Sequence, residues 1–247
     1  MALTNKLSAI GDAIREKTGE TKFYSLDEMP NAIKGISGGG SEIDDLALKL
    51  ITDRQSIISV TIPNGATKID NKAFDSCIKL KSINLPNSIT SIEDSAFRLC
   101  DLMITELPDS ITRIGNYGFY ANLSLSLTKL PDNLITLGNY AFNGTNLLIT
   151  ELPNGVSEIP INCFSGCNMT SLTLHSGITN INSYSFNNCK ELSIVTFKGT
   201  PTSISSSAFD GCTNLTTINV PWAEGEVANA PWGATNATIN YNYTGEV

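Results

Sequence analysis

Seven phenylalanines recur along the chain at spacings of 22 or 23 residues, and this regularity restricts the fold more than any other feature of the sequence. An aliphatic residue precedes each of them by five positions, and five of the seven are followed three positions later by cysteine. A fixed period of this length indicates a repeat architecture in which each unit is one small supersecondary element. The seven are Phe74, Phe97, Phe119, Phe142, Phe164, Phe186 and Phe209.

Each repeat unit contains two short extended pieces and a turn. In the second unit, residues 82–85 alternate polar and apolar side chains, which is typical of a half-buried strand. Pro86 follows and lacks the amide that a further ladder bond needs, so we expect the strand to end there. Residues 89–92 form the second extended piece, and Phe97 lies in the turn that follows.

A single unit is not expected to fold alone. Burial of about six or seven apolar side chains contributes about 10–20 kcal/mol, whereas ordering about 22 residues costs about 30 kcal/mol. Stacked units share their apolar faces and complete one another's hydrogen-bond ladders. The sequence therefore predicts a repeat solenoid with a short-stranded parallel sheet on one side and a convex side made mostly of turns and loops.

The units resemble the BspA-like class of leucine-rich repeats, which occurs in bacterial surface proteins and in phage tail proteins. Each unit approximates I/L-x-L-P-N/D-x-I-T-x-I-x-x-x-A-F-x-x-C-x-x-L, and the match covers residues 56–220. The resemblance implies a leucine-rich-repeat solenoid with a binding role. It implies no catalytic residue.

Both flanks of the array resemble segments of phage and prophage tail proteins. At the start, LTNKLSAIGDAIREKTG followed by SLDEMPNAIKGI is similar to their amino-terminal segment, and VPWAEGEVANAPWGATNATINYN is similar to their closing segment. The resemblance implies a virion protein of the phage tail, assembled in the host cytoplasm, that binds a host surface protein or glycan. The alternative is a bacterial cell-surface adhesin of the BspA-like type. Such an adhesin would need a signal or an anchor, and MALTNKLSAIGDAIREK lacks the apolar core of a secretory signal.

Composition divides the chain into four predicted parts. Residues 1–36 carry two apolar helical stripes and predict a helical docking segment. Residues 37–41 are a Gly-rich linker, residues 42–220 are the solenoid of about seven units, and residues 221–247 are a carboxyl-terminal cap. The helical segment is too short to bury both stripes alone. We expect it either to bind another tail protein or a second copy of the chain, or to fold back and cap the first unit.

Two tryptophans and an alternating tail follow the last repeat. Trp222 and Trp232 stand in two Pro-Trp pairs, and we expect them to cover the apolar face of the last unit. Stacking of these rings on a sugar is the alternative. Ile239, Tyr241 and Tyr243 alternate with polar residues and predict a closing edge strand.

Units three to five depart from the strand pattern. Thr105, Thr128 and Thr150 stand where other units have an inward isoleucine or leucine. Either a bulge turns the preceding residues inward, or those residues form an apolar stripe on the exposed face; they are Ile104, Leu127 and Ile149. We favour the bulge, because a row of exposed aliphatic side chains is costly without a partner.

The chain carries few groups that catalysis or metal binding uses. His175 is the only histidine and is expected at a surface turn, and the cysteine column is expected to hold buried reduced thiols rather than disulfides or metal ligands. The net charge is −8 and no segment is basic, so nucleic acid is not an expected partner. No apolar run approaches the roughly 18 residues of a membrane span. We expect no enzyme activity, no cofactor and no membrane insertion.

Two surfaces are candidates for binding. The first, the strand-face column, consists of Thr61, Asn84, Glu106, Lys129, Glu151, Thr173, Thr196 and Asn219. Stacking order places Lys129 between the two glutamates, and the curvature of a solenoid makes such faces broad binding platforms. The rival, the tyrosine edge, consists of Tyr117, Tyr120, Tyr140 and Tyr184. These rings could stack on sugars, although Tyr117 and Tyr140 occupy the same site of neighbouring units and could instead pack on each other.

Overall fold

The structure is a computed structural model that describes residues 54–62 and 64–245. The predicted helical segment, the linker and the first residues of the predicted array lie outside the described residues. The rest of the array forms stacked coils, one for each phenylalanine, which confirms the predicted solenoid.

Thirteen short strands and one 3-10 turn make up the regular structure of the described residues. The 3-10 turn is Arg54–Ser56. The strands are β1 (Ser59–Thr61), β2 (Lys68–Ile69), β3 (Ser82–Asn84), β4 (Ser91–Ile92), β5 (Arg113–Ile114), β6 (Thr136–Leu137), β7 (Glu158–Ile159), β8 (Ser171–Leu174), β9 (Asn180–Ile181), β10 (Ile194–Phe197), β11 (Ser203–Ile204), β12 (Thr217–Asn219) and β13 (Thr238–Asn240). All of the pairs between these strands are parallel.

The first side of each coil, the strand face, carries two separate sheets. One pairs β1 with β3, and the other has the order β13-β12-β10-β8. The register aligns the inward residues of successive units, so that Val195 lies opposite both Leu172 and Ile218. Between the two sheets, units three to five contribute only an isolated bridge from Glu151 to Thr173. The predicted parallel sheet is therefore present in two parts, because three consecutive units do not pair with their neighbours.

The second side of each coil carries short strands as well, within the second extended piece that the sequence predicted. Strands β2, β4, β5 and β6 form one sheet, and β7, β9 and β11 form another. The threonine of the I-T-x-I pattern supports this side, since the hydroxyls of Thr90, Thr112 and Thr179 each donate to a carbonyl of the preceding unit at 3.1 Å. The threonine of the pattern thus helps to hold adjacent coils together.

The third side of each coil is made of turns, and the phenylalanines lie beneath it. All seven rings are fully buried, and successive rings stack with centroids 5.2–5.9 Å apart. The turns also form a backbone ladder, in which the Phe142 amide donates to the Cys163 carbonyl of the next unit at 2.9 Å. The prediction that these phenylalanines form the core is confirmed.

A column of buried hydrogen-bond donors runs beside the rings. Cys100 donates its thiol to the Phe74 carbonyl of the preceding unit at 3.0 Å, and Cys212 donates to the Phe186 carbonyl at the same distance. Burial raises the pKa of the Cys167 thiol to about 11, so this thiol is neutral at pH 7. The predicted burial of the cysteines is confirmed.

The last described coil closes the hydrophobic core with aromatic rings. Trp222 and Trp232 are buried and pack against Phe197, with ring centroids 5.1 and 6.2 Å from it. Their burial leaves no ring face free for a sugar, so the alternative of sugar stacking is wrong. The predicted closing strand is present in part as β13, which pairs in register with β12. It ends at Asn240, so Ile239 lies in it and Tyr241 and Tyr243 do not.

Candidate functional site

The strand-face column is split by the interruption of the sheet. Register places Thr61 beside Asn84 at one end and aligns Glu151, Thr173, Thr196 and Asn219 at the other. Asn240 extends the column by one more position, because it lies opposite Asn219 and donates its side-chain amide to the Asn219 side chain at 2.8 Å. Asn219 is itself buried, so it supports the ladder rather than exposing a binding group.

The middle of the column borders a groove, which we call the interruption groove. It consists of two adjoining depressions of about 300 and 270 Å³ that share Glu106 and Leu107. The first is lined by Ile83, Asn84, Leu85, Asn87, Ile104, Glu106, Leu107 and Pro108. The second is lined by Thr105, Glu106, Leu107, Asp109, Thr128, Lys129 and Leu130. The structure thus brings Asn84, Glu106 and Lys129 to one concave surface.

The groove exists because three units turn their strand residues the other way. Leu127 and Ile149 are fully buried and Ile104 is half-buried, whereas the three threonines that follow them are exposed. The predicted inward turn of these aliphatic residues is confirmed. The inward turn does not add a local bulge to a strand, because these units form no strand on this side. The surface between β3 and β8 is therefore irregular.

Charges in the groove do not pair as the stacking order suggested. The Lys129 ammonium lies 2.9 Å from an Asp132 oxygen and 3.6 Å from an Asp109 oxygen. Hydrogen bonding to Asp132 and the nearby charge of Asp109 raise the pKa of Lys129. Lys129 therefore does not neutralise the two glutamates of the column. Within the described residues, Glu106 and Glu151 make no ion pair.

The tyrosine edge is mostly a packed cluster. The rings of Tyr117 and Tyr140 stack in parallel with centroids 4.8 Å apart, and Tyr120 packs edge-on against both. One face of each stacked ring is consequently covered by its neighbour. Tyr184 shares no ring contact with these three in the described part of the chain, and it is 43% exposed.

His175 lies beside a turn, as expected, but it is not a simple surface residue. Its Nδ1 accepts a hydrogen bond from the Gly177 amide at 3.1 Å, and its Nε2 is buried without a hydrogen-bond partner. Across residues 54–62 and 64–245, no three histidine, cysteine, aspartate or glutamate side chains are grouped so that they could hold a metal ion. No helix among those residues is long and apolar enough to cross a membrane.

Comparison with known proteins identifies the repeat. The family model for the BspA type leucine rich repeat region, in six copies, matches residues 52–160 and 114–229. The chain belongs to this family. A comparison with curated proteins finds no match.

Several solved structures are similar to this BspA-type chain. A leucine rich cell surface protein of Faecalibacterium prausnitzii A2-165 is 24% identical, with a TM-score of 0.41 over 70% of this chain and 60% of that one. A leucine-rich repeat protein of Bacteroides ovatus ATCC 8483 is 17% identical, with a TM-score of 0.37 over 78% and 77%. Another from Eubacterium ventriosum ATCC 27560 is 18% identical, with a TM-score of 0.33 over 77% and 74%. The chain spans 60% of the length of the Faecalibacterium protein.

This BspA-type array contains a side-chain ladder that was not predicted from the sequence. Side chains three positions before successive phenylalanines form a ladder in which each accepts a hydrogen bond from the amide at the same site of the next unit. The distances are 3.0 Å from Asp94 to Asn71, 2.8 Å from Asn116 to Asp94, 2.8 Å from Asn139 to Asn116 and 3.1 Å from Ile161 to Asn139. A column of asparagine and aspartate in the aligned units was the signal that could have revealed it.

Proposed function

We propose that the chain is a non-enzymatic phage tail protein whose interruption groove recognises a protein or glycan of the bacterial host surface. The observation that carries the binding role is the groove, where a regular ladder gives way to exposed polar and charged side chains. The resemblance of both flanks to phage tail proteins supports the location in a virion. Regular solenoid faces are extended binding platforms, and function concentrates where the backbone departs from the scaffold.

The groove is a better candidate than the tyrosine edge. Two glutamates of the strand-face column are exposed and carry no ion pair in the described part of the chain. By contrast, the stacked rings of Tyr117 and Tyr140 each cover one face of the other. Binding energy comes most readily from groups that gain partners on association.

Charge reversal in the groove is expected to weaken attachment to host cells without unfolding the array. The variant combines Glu106→Lys, Lys129→Glu and Glu151→Lys, all at exposed positions. We expect attachment of the purified, fluorescently labelled protein to fall about tenfold, since like charges across an interface cost binding energy and slow association. Flow cytometry of host cells measures attachment, and far-UV circular dichroism checks the fold.

Two further variants make this test specific. Glu191→Lys with Glu224→Lys changes the charge at exposed positions outside the groove, and its attachment should equal that of the wild type. Alanine at all four positions of the tyrosine edge tests the rival surface. If only the tyrosine variant loses attachment, the groove is not the binding site.

The predicted helical segment is proposed to connect the array to the tail. Deletion of residues 1–41 should leave thermal unfolding of the array unchanged but remove the protein from virions, because a docking segment adds no contact to the array itself. Mass spectrometry of purified virions measures incorporation, and circular dichroism measures thermal unfolding. A lower unfolding temperature or aggregation of the truncated protein would instead support a segment that caps the first unit.

A bacterial cell-surface adhesin is the second candidate function, and membership of the BspA-type family favours it. The two functions differ in where the protein resides. Detection in purified virions supports the tail protein, whereas detection on intact bacterial cells without phage supports the adhesin.

A further inference from the structure

We infer that the ligand of the interruption groove is an extended polypeptide segment that carries lysine or arginine side chains; this inference rests on the proposed function. Two independent features of the groove lead to it. They are the backbone groups that the interruption leaves unpaired and the charge of the side chains around them.

The interruption leaves main-chain donors without partners. Within the part of the chain that the structure describes, neither the amides nor the carbonyls of Thr105, Glu106, Thr128 and Lys129 make a hydrogen bond to protein. Elsewhere on the strand face, the corresponding groups are used in the parallel ladders. A segment that no longer pairs with neighbouring strands has unpaired main-chain groups, as the edge strand of a sheet does. An extended peptide has alternating donors and acceptors that can hydrogen-bond to such groups.

Charge in the groove favours a cationic ligand. Glu106 and Asp109 line the groove, Asp132 pairs with Lys129 at its edge, and Glu151 follows in the next unit of the strand-face column. All four are exposed, and Lys129 is the one cation in the lining. Lys129 is already shared between Asp109 and Asp132, so the two glutamates are left to pair with a ligand. A surface of this sign attracts lysine and arginine side chains and repels polyanionic glycans.

The lining of the groove also suits a peptide. It contains no aromatic ring on which a sugar could stack, and its apolar floor includes the half-buried side chains of Leu85, Ile104 and Pro108. Alternate side chains of an extended peptide point to opposite sides. One set can therefore contact this apolar floor while the main chain faces the unpaired amides, and the basic residues reach the glutamates.

Three synthetic peptides test the inference on the full-length protein. The first is an eight-residue alternating Lys-Thr peptide, the second is the same peptide with every second amide N-methylated, and the third is an alternating Glu-Thr peptide. Fluorescence anisotropy at low ionic strength should show binding of the first. N-methylation should weaken binding about tenfold, because it removes the peptide donors that the unpaired carbonyls of the groove would accept, and the Glu-Thr peptide should not bind.

Matched protein variants separate groove binding from general attraction to an acidic protein. Glu106→Gln with Glu151→Gln should weaken binding of the Lys-Thr peptide about fivefold or more. The control, Glu191→Gln with Glu224→Gln, makes the same charge change outside the groove and should have no effect.

Other outcomes would overturn the peptide inference. These are equal binding of the N-methylated peptide, equal weakening by both double variants, no binding of the Lys-Thr peptide, and tighter binding of a neutral oligosaccharide such as chitohexaose. Any of them would leave the proposed function standing if charge reversal in the groove still reduced attachment to host cells. Unchanged attachment of the charge-reversed protein would refute the proposed function itself.

Discussion

Replacing Phe142 with alanine is expected to lower the free energy of unfolding by about 3–5 kcal/mol. The ring is fully buried and stacks on Phe119 and Phe164, with centroids 5.4 and 5.9 Å away. Both stacking contacts are lost at once, and the backbone ladder of the turn side hinders the two neighbouring coils from collapsing into the cavity. Urea unfolding followed by far-UV circular dichroism measures the loss.

The matched control for this substitution is Tyr184→Ala. It also removes an aromatic ring from a turn, but that ring is 43% exposed, and the expected loss is below about 0.5 kcal/mol. Fluorescence of Trp222 and Trp232 reports on the carboxyl-terminal coil, so its transition should coincide with that of circular dichroism if the whole array unfolds together. A loss below about 1 kcal/mol for Phe142→Ala would mean that the ring is not part of the core.

The stack of phenylalanines could be predicted from the sequence because burial follows periodicity directly. A position that recurs in every unit lies in the same environment each time. Because all seven units have phenylalanine at this position, the sequence indicates that the position is buried in the core. The same reasoning located the inward aliphatic residues of the second extended piece, such as Ile92 and Ile114, which are fully buried. Repetition supplies seven observations of each position, which is what a single sequence ordinarily lacks.

The interruption of the strand face could be located from the sequence but not described. Thr105, Thr128 and Thr150 marked the three exceptional units, and their outward position follows from polarity. Loss of pairing over all three units is a collective result, because a parallel strand needs a neighbour in register on at least one side. The alternation of polar and apolar residues within one unit does not show whether the adjacent units also lack strand pairing.

The ion pairs of Lys129 illustrate a second limit. Stacking order placed this lysine between two glutamates, but a lysine side chain is long and flexible. Asp132 lies three residues further along the same turn, and Asp109 belongs to the preceding unit. Periodicity fixes where a backbone position lies, whereas the partner of a flexible surface charge depends on local distances that periodicity does not give.

Substitution of Asn122 by alanine is expected to cost about 3 kcal/mol. This fully buried residue occupies one of the two column positions that are not cysteine. Its side-chain amide donates to the carbonyls of Phe97 and Phe119 at 2.6 and 3.0 Å, and its side-chain oxygen accepts from the Leu102 amide at 3.3 Å. Alanine would leave the Phe97 carbonyl and the Leu102 amide without the partner that Asn122 supplies inside the core, whereas the Phe119 carbonyl would keep the main-chain amide of residue 122. Urea unfolding measures the cost.

Cysteine at the same position should restore part of this stability. In the preceding unit, Cys100 donates its thiol to the Phe74 carbonyl at 3.0 Å, which is the geometry that Asn122 repeats with Phe97. Asn122→Cys therefore keeps a donor for the Phe97 carbonyl while losing the acceptor for Leu102, and its expected cost is about 1–2 kcal/mol. A thiol is a weaker donor than an amide, so full recovery is not expected. Equal urea midpoints for the alanine and cysteine variants would mean that this column is selected for volume alone, with its hydrogen bonds contributing nothing to stability.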